Sequence, residues 1–366
     1  MQKKSRNIII SGGGTGGHIF PAIAIANAIK KRFADVDILF VGAKGKMEMS
    51  KVPEAGYPII GLWISGFQRR LTIKNLMFPL KLISSLLKAR SIIKIFKPDI
   101  VIGVGGYASG PTLNMANRLN ISTLIQEQNS FPGVTNRLLA KKVNRICVAY
   151  DHLEKYFPAD KIVLTGNPVR EEVVNIEGKL EEAQNFFGLN TKMKTVLVVG
   201  GSQGAVSINK SIAANLEMFA ENNIQLIWQT GKSYYKEAND IIINSDNIKV
   251  HEFINRMDLA YAAADLVISR SGAIAISELS LVKKPVIFIP LPSAAEDHQS
   301  KNAKALVDEN AAYLIKDNEA VIELPKLLKY LINNDKKLKE ISANMSKFAS
   351  PNATELIVDE IEKLIK

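Results

Sequence analysis

Ile8-Ile9-Ile10-Ser11-Gly12-Gly13-Gly14-Thr15-Gly16-Gly17-His18 carries a β-branched apolar run straight into a cluster of glycines and then into a helical pattern continuing through Ile23 and Ile25. Glycines let the backbone turn tightly after a strand and leave amide N–H groups facing whatever sits above the next helix, where phosphate or pyrophosphate is the natural guest. Val196-Leu197-Val198-Val199-Gly200-Gly201-Ser202-Gln203-Gly204-Ala205 repeats the device in the second half of the chain. Two such openings predict two open α/β units whose ligands bind beyond the carboxyl ends of their strands, in a shared cleft.

Short β-branched runs alternate with amphipathic stretches, the pattern of a parallel sheet with crossover helices. The expected strands are Ile8–Ser11, Asp37–Val41, Ile100–Val104, Thr123–Glu127 and Arg145–Val148, then Thr195–Val199, Gln225–Gln229, Lys249–Phe253, Leu266–Ser269 and Val286–Ile289. A short hinge is expected near Leu164 to Arg170. Ser350-Pro351 supplies a capping residue with proline at the first helical position, followed by Leu356, Ile357, Ile361, Leu364 and Ile365 on one face of a terminal helix.

With 366 residues, 47% of them hydrophobic, the chain has enough for two buried cores. Its one cysteine, Cys147, excludes an internal disulfide and a cysteine-rich zinc cluster. The stretch before Ile8 leaves no room for a signal peptide's apolar core, and charged residues interrupt every run that approaches a membrane span. A net charge of +11 fits a polyanionic partner or a lysine-rich solvated surface.

Gly12, Gly14 and Gly17 satisfy the dinucleotide fingerprint, but the acidic residue expected for a ribose is ambiguous between Asp35 and Asp37. Neither glycine turn is followed by the Lys-Ser/Thr pair of a P-loop. His18 reads equally as a base and as a helix cap or phosphate ligand. Gly105-Gly106-Tyr107-Ala108-Ser109 and Glu127-Gln128-Asn129 bring polar groups to the same edge, where the alternative is close packing. Glu278 suits a ribose diol or, taken alone, a solvated helix face. Between Phe67 and Lys97 stand eight basic residues and no acidic one. The Phe67 to Phe78 portion suits an anionic membrane surface, while Ile83, Leu87 and Ile93 read as core. Few aromatics accompany the charges, so no nucleic-acid stacking platform is visible.

Seven stretches in series resemble the MurG glycosyltransferase family over almost the whole chain: Gly12–His18, Gly105–Pro111, Glu127–Asn129 with Pro132-Gly133, Gly166–Arg170, Gly200–Ala205, Ser269–Ala273 and Asp297–Ala303. The resemblance implies the GT-B fold, two doubly wound Rossmann-like α/β domains facing a cleft. Residues 1–166, joined by helix 350–366, would bind acceptor and membrane, and residues 167–349 would bind the UDP-sugar. The implied reaction is an inverting transfer of N-acetylglucosamine from UDP-N-acetylglucosamine to the muramyl 4-hydroxyl of lipid I, giving lipid II, without cofactor or metal. It would take place at the cytoplasmic face of the bacterial inner membrane, beside other cell-wall synthesis proteins.

Carried over residue by residue, the resemblance puts Arg170 and Ser202 near the diphosphate and Ile254 at the uracil. Ala273, Ile274, Ala275, Ile276 and Ser277 would meet phosphates and ribose, Glu278 the ribose, and Gln299 the sugar. Thr15, Gly16, Gly17 and Asn129 would contact the sugar from the first domain, and Gly13, Gly14, Gly105, Gly106 and Tyr107 the acceptor. His18 would be the base, with Glu127 a second candidate or its orienting partner. Phe67, Arg69, Arg70, Leu76, Phe78 and Lys81 would face the membrane. The competing readings are a transferase of the same fold with a soluble acceptor, and a basic nucleic-acid-binding module.

Overall fold

The computed structural model describes residues 5–66, 77–201, 204–242, 245–294 and 297–365. The chain forms two units, Met1–Arg170 with Pro351–Lys366, and Glu171–Ser350. Residues 167–170, assigned from the sequence to the second domain, lie with the first. Asn167 explains this: its side chain exchanges hydrogen bonds with Gln126 Nε2 (3.1 Å) and the Gln128 carbonyl (3.1 Å), both buried in the first unit.

In the first unit the described strands are β1 (Arg6–Ser11), β2 (Val36–Ala43), β3 (Ile59–Leu62), β4 (Ile100–Gly103), β5 (Ser122–Glu127), β6 (Arg145–Val148) and β7 (Ile162–Leu164). They form one parallel sheet of order β3-β2-β1-β4-β5-β6-β7. Alternation along β1 feeds both faces. Ile8 and Ile10 pack with Ile19, Ile23 and Ile25 of helix Gly16–Arg32, whereas Ile9 packs with Leu113 and Ala116 of helix Ser109–Arg118 and Ile93 of helix Phe78–Phe96. Sheets covered on both sides need this doubly apolar kind of strand. Cys147 lies within the same core, where burial pushes its thiol well above the ordinary range.

The closing helix is Ala353–Leu364, with Asn352 rather than Ser350 at its cap, and it packs on helix Gly16–Arg32. Ile357, Val358 and Ile361 are fully buried there, each contributing about 1.5–3 kcal/mol, while Leu356 faces outward. Arg32 meets Glu355, Asp359 and Glu362 at 2.9, 3.1 and 3.0 Å. These bridges are solvent-screened and add little beside the apolar contact.

The second unit holds β8 (Lys194–Val199), β9 (Ile224–Gln229), β10 (Ile248–His251), β11 (Leu266–Ser269), β12 (Val286–Phe288) and β13 (Tyr313–Leu314), all parallel, in the order β10-β9-β8-β11-β12-β13. Val196, Val198 and Trp228 pack with Ile208 and Leu324 on one face, and Leu197 and Ile227 with Leu259 and Leu279 on the other. In both sheets the order reverses beside the first strand, the switch point at which such folds bind ligands. The expected strands do not include β3, β7 and β13. All three are sheet edges of two to four residues, too short to show a period.

Helix Phe78–Phe96 corrects one expectation. Ile93 is buried, but Ile83 and Leu87 are 56% and 63% exposed, in line with Leu80. Its inward stripe is Ser85, Ala89, Ile92 and Ile93, whose small members let the helix lie against Ser109–Arg118. Among the described residues no helix is long and apolar enough to cross a membrane.

Candidate active site

In the first unit two glycine turns interlock at the carboxyl ends of β1 and β4. Gly13 and Gly14 have φ of 142° and 90°, and Gly105 and Gly106 have 91° and 86°. A Cβ on Gly106 would collide with the Gly13 backbone, and one on Gly105 would lie 2.8 Å from Nε2 of His18. The buried Ser109 hydroxyl ties the turns from below, bonding the Ser11 carbonyl at 2.7 Å and the Gly105 carbonyl at 2.9 Å. Ser109 therefore supports the edge rather than lining it, while Tyr107 is half exposed.

His18 stands in the first turn of helix Gly16–Arg32, whose cap Thr15 makes no capping bond through its side chain and whose first turn has no acidic residue. Backbone N–H groups at such an end, including those of Gly16 and Gly17, favour an anion by about 0.3–2 kcal/mol. His18 Nδ1 lies 3.1 Å from the Gly13 carbonyl and 3.4 Å from Thr15 Oγ1. A carbonyl only accepts, so in the neutral ring Nδ1 carries the hydrogen and Nε2 the lone pair.

Glu127 does something else. Its Oε1 accepts from the Asn129 amide (3.0 Å) and Asn129 Nδ2 (3.2 Å), and its Oε2 from the Gly133 amide (3.0 Å) and Asn136 Nδ2 (2.9 Å). With 1% exposure and donors on both oxygens, this carboxylate organises the loop that carries Asn129. Gly13 and Thr15 supply orienting contacts to the imidazole. Gln126, Gln128 and Asn167 form a buried amide network behind the loop, in which Gln128 Nε2 bonds both Gln126 Oε1 and the Val104 carbonyl. Arg170 lies beyond it, its guanidinium 4.4 Å from the Phe20 ring centroid and its Nε buried without a hydrogen-bond partner. Cation–π contact holds it against the helix that carries His18.

Two residues missed from the sequence support this edge: Phe20, under Arg170, and Glu48, under the first turn. Glu48 is 1% exposed, and its oxygens accept from the Ala43 amide (3.0 Å) and the Gly14 amide (2.8 Å). The available signal was Gly42, a glycine inside a strand, which marks a close approach; a Cβ there would stand 2.6 Å from Glu48 Cγ.

In the second unit, Gly200 and Gly201 come directly after β8, and Ser202 lies outside the described residues. Gln229 bridges two loops, donating to the Gly201 carbonyl (3.1 Å) and accepting from the Ile254 amide (2.9 Å). The Ile254 side chain is buried. Gly272 precedes helix Ala273–Leu281, which like its counterpart has no side-chain cap and no first-turn acid. Ala273 and Ile276 turn into the core, and the Ser277 hydroxyl bonds the Ala273 carbonyl, so Ala273, Ile274 and Ala275 offer a ligand mainly their backbone. Glu278 is 9% exposed and accepts from the Tyr261 hydroxyl at 3.0 Å.

Gln299 accepts from the Leu291 amide (2.9 Å), and its carbonyl takes the buried Ser271 hydroxyl (2.9 Å), joining the loops after β11 and β12. Arg270 braces this corner through Asp317, Ser207 and the Ile289 and Pro290 carbonyls. His251, at the end of β10, sits edge-on to Phe187, and burial pushes its imidazole below the ordinary value.

Of the expected membrane residues, Phe67, Arg69, Arg70 and Leu76 lie outside the described residues. Phe78 opens helix Phe78–Phe96, and Lys81 donates to Ser65 Oγ at 3.0 Å with its ammonium 5.8 Å from the Trp63 ring centroid. Trp63, Met77, Leu80, Ile83 and Leu87 are exposed around it.

Comparison with known proteins covers both units. Residues 8–148 match the glycosyltransferase family 28 N-terminal domain, and residues 195–357 the glycosyltransferase family 28 C-terminal domain. A Flavobacterium psychrophilum protein is 54% identical over 98% of this chain and 97% of its own length, and a Cytophaga hutchinsonii protein 55% identical over 100% and 98%. Both are named UDP-N-acetylglucosamine--N-acetylmuramyl-(pentapeptide) pyrophosphoryl-undecaprenol N-acetylglucosamine transferase. Among solved structures, Acinetobacter baumannii MurG is similar with a TM-score of 0.77 at 28% identity, over 98% of this chain and 99% of that one.

Proposed function

The chain belongs to glycosyltransferase family 28, as a transferase of N-acetylglucosamine from its UDP donor to N-acetylmuramyl-(pentapeptide) pyrophosphoryl-undecaprenol, and from this premise we propose how its residues divide the work. The reaction forms a bond from the muramyl 4-hydroxyl oxygen to the anomeric carbon while the bond to UDP breaks. The electron pair leaves with UDP, and the hydroxyl proton needs a base.

His18 is that base in our reading. The observation that carries it is the Nδ1 contact with the Gly13 carbonyl, which directs the lone pair to Nε2 at the rim of the glycine turns. Glu127 holds the Asn129 loop in shape. Thr15, Gly16, Gly17 and Asn129 contact the transferred sugar, and Gly13, Gly14, Gly105, Gly106 and Tyr107 hold the acceptor's pyrophosphate. Arg170, Ser202 and the first turn of helix Ala273–Leu281 meet the charge that develops on the diphosphate, Ile254 lies at the uracil, Glu278 takes the ribose and Gln299 the sugar. Support for the anion sites comes from the uncapped helix starts and the charge of Arg170.

Acceptor-dependent UDP release, assayed with a lipid I analogue, tests the assignment. Turnover selective for UDP-N-acetylglucosamine over UDP-glucose and UDP-N-acetylgalactosamine is expected. Equal use of the three donors overturns it.

The enzyme works, in our reading, as a peripheral protein at the cytoplasmic face of the bacterial inner membrane, where cell-wall synthesis proteins would neighbour it. The outward row Leu80, Ile83 and Leu87 beside Lys81, Lys88 and Arg90 supports this, since exposed apolar residues flanked by cations suit an anionic lipid surface. Changing all three to serine lowers affinity for phosphatidylglycerol-containing vesicles by about tenfold or more. Vesicle sedimentation is the measurement, and unchanged binding removes this face from the proposal.

A further inference from the structure

Glu48 is a buried carboxylate beneath the first glycine turn, and the fold is cut to fit it. A Cβ on Gly42 would press on its Cγ and a Cβ on Gly13 on its carboxyl group. Glu48 opens a short helix, Glu48–Glu54, on the loop after β2, thirty-four residues from the Gly14 it contacts. Such a buried acid either stabilises the turn alone or acts on something beyond it.

The geometry favours the second. The trans peptide joining Gly13 to Gly14 has its N–H and C=O pointing in opposite directions. The Gly14 N–H donates to Glu48 Oε2 at 2.8 Å, and the Gly13 C=O lies 3.1 Å from His18 Nδ1. One peptide unit is thus held between a carboxylate and an imidazole. Hydrogen bonds in series polarise one another, so a negative charge on the N–H side makes the carbonyl a stronger acceptor.

We propose that Glu48 is a positioning residue that acts on His18 through the Gly13–Gly14 peptide, fixing the tautomer with hydrogen on Nδ1 and stabilising the imidazolium formed during transfer. The inference rests on His18 being the base. When Nε2 takes the acceptor's hydroxyl proton, the ring becomes positive, Nδ1–H bonds the Gly13 carbonyl more strongly, and the peptide passes this to the carboxylate. No proton crosses the peptide. Of the other charged or titratable groups near the turn, Glu127 serves its own loop, Arg170 lies over Phe20, and Tyr107 comes after the second glycine pair.

The test is a double-mutant cycle of Glu48→Gln and His18→Gln, with His18 followed by NMR titration in the wild type and in Glu48→Gln. Glutamine keeps the size but presents an amide where two N–H groups need acceptors. We expect Glu48→Gln to lower kcat/KM by roughly 3- to 100-fold, the coupling usual between members of one hydrogen-bond network, and to lower it far less when His18 is already glutamine. Its acid limb and the His18 titration should both move to lower pH. In the wild-type protein, the ring nitrogen shifts of neutral His18 should show the hydrogen on Nδ1, which needs no variant to fold. Equal losses on both backgrounds, a His18 titration that does not move in Glu48→Gln, or a neutral wild-type His18 with its hydrogen on Nε2 overturn the relay and leave the base assignment standing. If His18→Gln itself retains nearly full turnover, the base assignment fails instead.

Discussion

His18→Gln lowers kcat by about two to four orders of magnitude, the usual worth of a positioned general base, with a smaller change in KM for the UDP-sugar. Glutamine retains an amide that can bond the Gly13 carbonyl, so the turn keeps its shape while Nε2 and its lone pair are gone. The wild-type profile falls on the acid side as the imidazole takes up its proton, and the variant lacks that limb. Donor affinity, followed by UDP-N-acetylglucosamine titration, should be nearly unchanged, because a base acts mainly in the transition state. A loss of less than about tenfold in kcat would assign proton removal elsewhere.

Gly106→Ala is expected to remove the first unit's stability rather than one catalytic step. The new methyl would strike the Gly13 carbonyl and lie 3.0 Å from the Gly13 nitrogen, at a φ of +86° that side chains rarely adopt. Backbone cannot rotate away as a side chain can, so the two turns must separate, at a cost of about 3 kcal/mol or more. Gly45→Ala is the control, since its φ is +69° but nothing lies within 4 Å of the added carbon. Only the conformational cost of about 1–2 kcal/mol remains there. Trp63 and Trp228, the chain's two tryptophans, report one unit each. Urea unfolding of a Trp228→Phe background therefore tracks the first unit alone. Equal midpoints for the two alanine variants would mean that the turns do not depend on each other.

The fold was legible because its strongest signals are local. β1 and β8 each pair a β-branched run with glycines that no continuous strand or helix would tolerate, and the turn chemistry dictates a helix after each. Edge strands escaped because β3 and β13 pair on one side only and are too brief for alternation to register. On helix Phe78–Phe96 two stripes compete. Leu80, Ile83 and Leu87 are the more apolar, yet Ser85, Ala89 and Ile92 face inward, because close contact between helices rewards small side chains.

At the candidate site, glycine motifs and His18 are readable as types of residue in a pattern. Glu127 reads as catalytic because a carboxylate at a strand end suits acid–base work. Its engagement by Asn129, Gly133 and Asn136 depends on how the loop after β5 folds back. Glu48 is invisible for the opposite reason: in Lys46-Met47-Glu48-Met49 it looks like any solvated glutamate, and only the register of β2 beside β1 brings it under Gly14.

The placement of helix Ala353–Leu364 on helix Gly16–Arg32 has a consequence for synthesis. The first unit is interrupted in sequence by the whole of the second, residues 171–350. At about 5–20 residues per second, a ribosome needs roughly 10–40 s to make that stretch before the last helix can emerge. Throughout that interval the apolar surface later covered by Ile357, Val358 and Ile361 stays uncovered on the nascent chain. The second unit, being continuous, can finish folding first, so the half of the protein that is translated earliest is the half that is completed last.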